Sequence, residues 1–210
     1  ALALASLGGW QYQVAAHPLP FPTDKFGIAV ARFGEGPDFD VTDDSREISD
    51  RIFQELTSTF QGNPDLKDLV EVRSMGLIRN PDEAREAGAL VKADLVIWGR
   101  LLRTDEKANI QFTILETPDK VSNPAFPRVI PLLEPEMTIA PDIPKDDVDQ
   151  IVAKLGLGIT TFTQGLAYYF QWDFLNAVRA FRQADDPALA LTGLNNSYLL
   201  RLYYGLSLQL

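Results

Sequence analysis

Phe26 to Phe33, FGIAVARF, is the stretch on which the reading of this chain turns. It is a short apolar run containing β-branched residues, and Gly34-Glu35-Gly36-Pro37 stops it, so it reads as a buried strand followed by a loop. Working outward, Asp44 with Glu47 three residues on has the spacing of a capping box, with Asp in the usual Ser/Thr place. Ile48, Ile52, Phe53, Leu56 and Phe60 then recur as the stripe of an amphipathic helix, which Gly62-Asn63-Pro64 ends. Leu69 to Val72 predicts a second strand. Asn80-Pro81-Asp82-Glu83 starts another helix, with Asn as N-cap and Pro at the first helical position, running to about Val91. Ala93 to Leu102, ADLVIWGRLL, predicts a third strand that is apolar at its centre. Strand, helix, strand, helix, strand in this order predicts parallel pairing through crossovers, with apolar strands covered on both faces. Asn109 to Leu115, after the turn Asp105-Glu106-Lys107, is expected as an antiparallel hairpin strand. The fold class is therefore α/β, a small, mostly parallel sheet flanked by helices, followed by an α-helical hairpin.

Both flanks of this unit differ from it in composition. Residues Ala1 to Trp10, ALALASLGGW, are small and apolar, and Val14 to Asp24 carries three prolines. Ten residues fall short of the roughly 20 that a helix needs to cross a bilayer. The expectation is the end of a truncated membrane anchor plus a linker over 1–25, with a signal-peptide remnant or a buried core segment as the alternatives. The α/β domain is expected over 26–117. Seven prolines between Pro118 and Pro144 predict an irregular strap over 118–145, able to supply at most an edge strand.

From 146 to 210 the pattern is helical. Asp146 or Asp147 is the expected cap of a helix carrying Ile151, Leu155, Ile159, Phe162 and Leu166, and a second helix follows Asp173. Gly165, Tyr168, Ala177, Phe181, Ala184 and Pro187 fall at the landmark positions of a tetratricopeptide repeat, although Pro187 is about two places early. Gln164 and Trp172 depart from that pattern, where leucine and a small residue are usual. Gly205, forty residues after Gly165, reads as the start of a second, incomplete repeat. In that register Ile159, Phe162, Leu166, Tyr169 and Phe170 face the concave groove. They are the candidate partner-binding residues, with packing against the α/β domain as the competing reading.

Ile28, Ala29, Val30 and Phe33, followed some sixty residues later by Ala93, Asp94, Val96 and Gly99, resemble the two strand patterns of the TolB amino-terminal domain and its relatives. The resemblance covers about 26–103. It implies an accessory domain without a known active site, of a kind that often precedes tetratricopeptide arrays in bacterial membrane-associated and signalling proteins.

Chemistry is sparse. The net charge of −10 disfavours nucleic acid, and without cysteine there is no thiolate nucleophile, disulfide or thiolate metal site. His17 is the one histidine and has no partner at ligand or triad spacing. Gly34 and Gly36 occupy the place of a phosphate loop, but Asp38 and Asp40 bring negative charge toward any phosphate. As a calcium loop, Asp38, Asp40, Asp43 and Asp44 lack the glycine at the bend and the downstream glutamate. The pairs Asp43-Asp44, Asp146-Asp147 and Asp185-Asp186 lie at expected helix ends, where capping accounts for them. The expectation is a non-enzymatic, membrane-tethered scaffold or sensor that binds protein partners through its repeats, with no cofactor and no metal. The alternative is a small-ligand sensor using Gly34, Gly36, Asp38 and Asp40 at the strand ends.

Overall fold

The structure is a computed structural model describing residues 19–103, 107–116, 143–144, 148–185 and 198–209. The expected anchor, most of the proline-rich strap, His17, Pro187 and the proposed Asp146/Asp147 cap lie outside these residues. The strands are β1 (Phe26–Arg32), β2 (Gly34–Glu35), β3 (Val70–Leu77), β4 (Leu95–Arg103), β5 (Lys107–Glu116) and β6 (Ile143–Pro144). The helices are α1 (Asp43–Gly62), α2 (Pro81–Val91), α3 (Val148–Phe170), α4 (Phe174–Ala184) and α5 (Tyr198–Gln209).

The sheet runs β3-β1-β4-β5-β6, with β2 paired to β4. β1 is parallel to β3 and β4, whereas β5 returns antiparallel along β4 as the short connection demands. β6 adds a two-residue edge, Lys107 opposite Pro144 and Ala108 opposite Ile143. The fold is thus α/β with a small, mostly parallel sheet flanked by helices and followed by a helical end.

Strand β1 alternates cleanly. Ile28 and Val30 point to one face, with Leu95, Ile97 and Leu101 of β4, and meet Ile48, Ile52, Leu56 and Phe60 of α1. Ala29 and Ala31 point to the other face, with Val96 and Trp98, toward Ala84 and Val91 of α2. β1 connects through α1 to β3 on one side, and β3 connects through α2 to β4 on the other. Two crossovers of one hand then place the helices on opposite faces.

Two local expectations need correcting. The cap of α1 is Thr42, not Asp44. Its hydroxyl accepts from the Ser45 amide at 3.2 Å, while the Thr42 amide donates to Ser45 Oγ at 3.1 Å. Thr42 is extended, as an N-cap must be, and its hydroxyl also donates to the Glu35 carboxylate. Asp43 and Asp44 fall in the first helical turn, where the helix dipole favours them. The second strand runs on to Leu77 because β1 offers a partner along its whole length, and pairing outweighs the weak strand preference of Ser74 and Gly76. By contrast, α2 starts as expected, with the Asn80 side chain accepting from the Glu83 amide at 2.9 Å and Pro81 next.

Candidate functional site

The motif Ala93-Asp94 has a structural task. Asp94 is buried, and its carboxylate accepts from the Gly27 amide at 2.6 Å while its own amide donates to the Gly27 carbonyl at 2.8 Å. A charge-assisted bond of this kind locks the start of β4 to the start of β1. Gly27 leaves room for the ring of Phe21, which a Cβ would meet at 2.5 Å.

At the other end of these strands lies the Gly34–Asp40 loop. Gly36, at φ +69°, and Phe39, at φ +57°, turn the chain, and Glu35 and Asp40 exchange backbone hydrogen bonds of 2.7 and 3.1 Å. The Gly36 amide donates to the Leu101 carbonyl at 2.9 Å. Phe39 folds back so closely that a Cβ on Gly34 would lie 2.8 Å from the Phe39 Cα. The Arg100 guanidinium sits 5.5 Å from the Phe39 ring centroid. The carboxylates of Asp38 and Asp40 are on exposed residues. The proposed ligand residues are therefore brought together, but around a phenylalanine that fills the turn. Among the described residues no group of three His, Cys, Asp or Glu side chains is arranged to hold a metal ion.

The helical end is built around a close crossing. A Cβ on Gly165 of α3 would collide with the Phe181 ring of α4, so only glycine allows the two helices this approach. Ala177, Ala180, Phe181 and Ala184 form the buried stripe of α4, and Asp173 caps it by accepting from the Asn176 amide at 3.1 Å. Gly205 on α5 has open space at the corresponding position among the described residues.

Of the five residues expected on an open groove, three lie inside the molecule and two are half-buried, which agrees with the competing reading of packing against the α/β domain. Ile159, Phe162 and Leu166 are buried in the same core as Ile28, Val30 and Leu95, and Tyr169 and Phe170 pack half-buried against it. Phe170 stacks on Phe26 of β1 at 5.4 Å, Phe162 meets Phe181 at 5.9 Å, and Tyr169 meets Tyr203 of α5 edge-on at 5.1 Å. The apolar stripe of α3 is used against the sheet and α1, so the core runs across the boundary expected near 145. Asn63, just after α1, adds a polar clasp by donating to the Tyr168 hydroxyl at 2.8 Å. Farther along this seam, Glu55 of α1 lies against Gly156 of α3, and burial raises its pKa while Arg51 pulls it down. Thr160 and Thr163 of α3 are buried with hydroxyls that have no partner among the described residues.

The tip of the hairpin is exposed and apolar, as is Leu157 in the first half of α3. Trp172 is 47% exposed at φ +66° and Leu175 is 63% exposed. A bulky side chain in the left-handed region is strained, and such outliers concentrate at functional positions. The only sequence sign of this was the missing small residue at position 172.

Among the described residues no helix is long and apolar enough to cross a membrane. Comparison of the chain with protein-family models, curated proteins and solved structures returned no match to any of them.

Proposed function

We propose that this chain is a non-catalytic protein-interaction module, a scaffold or sensor element in which a tetratricopeptide-type hairpin is mounted on a TolB-N-like α/β domain. The apolar segment Ala1 to Trp10 tethers it to a membrane in this reading, whereas Phe21 of the expected linker packs in the α/β core. The α/β domain serves as the cap that a short helical stack needs, because one and a half repeats cannot bury their own apolar faces. The contact made with a partner is then the outer tip of the hairpin rather than its inner face.

The observation that carries this reading is Trp172, which holds a strained backbone while leaving much of its indole in solvent. A glycine there would relieve the strain, and an exposed aromatic ring held at such a position fits a role in contact. Aromatic anchors of this type dominate the binding energy of many protein interfaces. The acidic pair at 43–44 is accounted for by its place in the first turn of α1, which supports a non-enzymatic reading.

The test pairs Trp172→Gly with a wild-type pull-down. Removing 151–210 would strip the sheet of α3 and confound binding with unfolding, so a point variant is the better instrument. Trp172→Gly relieves a left-handed strain of about 1–2 kcal/mol but gives up the edge-on contact of the indole with Phe174, worth about 0.5–1.5 kcal/mol, so the melting temperature is expected to change little. Partner recovery should fall about tenfold or more, the loss typical of a central aromatic anchor. Undiminished recovery would remove the tip from the interface.

A further inference from the structure

Among the described residues the outer edge of β3 is open. β1 covers one side of it, and no other strand pairs with it among the described residues. The Phe26 amide donates to the Leu69 carbonyl at 2.7 Å, and Gly27 stands opposite Glu71 and Ala29 opposite Arg73. In a parallel ladder this phase aims the backbone groups of Glu71 and Arg73 at β1. The amides and carbonyls of Val72 and Ser74 therefore point outward. The Val70 amide is used by the Leu66 carbonyl at 2.9 Å, which leaves the Val70 carbonyl outward.

Edge strands are usually blunted by charge. Here the two charges on the edge, Glu71 and Arg73, are opposite in sign and two residues apart. They share one face of the strand and pair with each other at 2.6 Å, both about 30% or less exposed. Turning the strand about a two-fold axis at Val72 places each Glu71 opposite the Arg73 of a second copy. Val72 then faces its own counterpart as a hydrogen-bonded pair, and each Ser74 amide meets the other copy's Val70 carbonyl. Glu71 and Arg73 fall at the non-hydrogen-bonded positions, where facing side chains are nearest. Backbone phase and side-chain charge thus select the same register.

We propose that two copies of this chain join through antiparallel β3–β3 pairing centred on Val72, making one continuous sheet. The occupant is a second copy because the edge is complementary to itself in both charge and hydrogen-bond phase. Such pairing is isologous and closes at two copies. On the opposite face it also brings together the half-covered Val72 and Phe53 margins of the two cores.

Sedimentation over a concentration series should give a species of twice the 23.3 kDa chain mass. Ser74→Pro removes an outward amide without touching the β1 ladder, so it should keep the fold and weaken self-association about tenfold or more. Arg73→Glu should do the same by opposing two carboxylates, and the double exchange Glu71→Arg with Arg73→Glu should restore the dimer. Arg73 also reaches the Leu19 carbonyl and the Phe21 ring, so amide exchange in the unaltered protein supplies an independent reading. Exchange at Val72 and Ser74 should slow as concentration rises. A monomer at every concentration would overturn the proposal, as would a dimer indifferent to Ser74→Pro or one whose Val72 and Ser74 amides exchange at the monomer rate.

Discussion

The two faces of the sheet solve burial in different ways. One carries Ile28, Val30, Leu95 and Ile97 under two helices, α1 and α3, with the rings of Phe60, Phe162 and Phe181 filling the space. The other carries Ala29, Ala31 and Val96 and, among the described residues, lies under the single short helix α2, itself lined by Ala84 and Gly88. Small against small lets one 11-residue helix lie close, with Trp98 and Phe21 supplying the bulk at the sides. Large against large leaves a face too wide for α1 alone. The helical end of the chain completes that face, which makes it part of the α/β core as well as a following unit.

The sharpest way to break this comparison is Phe162→Ala. Phe162 is 1% exposed in α3, more than a hundred residues after β1 in sequence, yet it belongs to the core of the sheet. Its truncation is expected to lower stability by about 3–5 kcal/mol. Urea unfolding followed by strand and helix signals should keep a single transition. Two separated transitions would show that the faces are not coupled through α3. A smaller effect is expected on the other face, where Ala31→Leu inserts bulk into a tight contact and should cost about 1–3 kcal/mol. Equal tolerance of extra volume on both faces would erase the distinction drawn here.

The smallest effect lies on the seam between α1 and α3. The Glu55 pKa is raised above its ordinary value of 4.5, first by burial, with Arg51 opposing. The folded state therefore holds the Glu55 proton more tightly than the unfolded chain does. Its contribution to stability is present below the unfolded value and is lost as pH rises through the folded one. Glu55→Gln should accordingly raise the melting temperature modestly at neutral pH, and the difference should disappear below about pH 4. A variant that is less stable than the parent at neutral pH would show that Arg51 dominates.

How much of this could be read in the chain itself varies by element. The strands β1 and β4 and the start of α2 were legible because their signals are local: continuous apolar runs, and Asn80-Pro81 at a helix start. Gly165 and Phe181 were legible as a helix pair for the same reason, since their spacing implies a crossing that the structure makes. The cap of α1 was misread because Thr42 acts through a serine at its third position, a weaker pattern than an acid. The length of β3 was missed because Arg73, Ser74 and Gly76 are held in a strand by their neighbour rather than by their own preference.

The candidate site divides along the same line. Periodicity alone determined that one side of α3 is apolar, because the 3.6-residue repeat is a property of the chain. Where that side is buried depends on which surface has unfilled width, and that is a property of the assembled sheet. Ile159, Phe162 and Leu166 therefore lie in the interior, and the exposed position passes to Trp172, whose backbone angle no pattern of residues reveals. Likewise the sequence contains Glu71 and Arg73 two apart, but only the pairing of β3 with β1 decides that Val72 and Ser74 aim their hydrogen bonds outward.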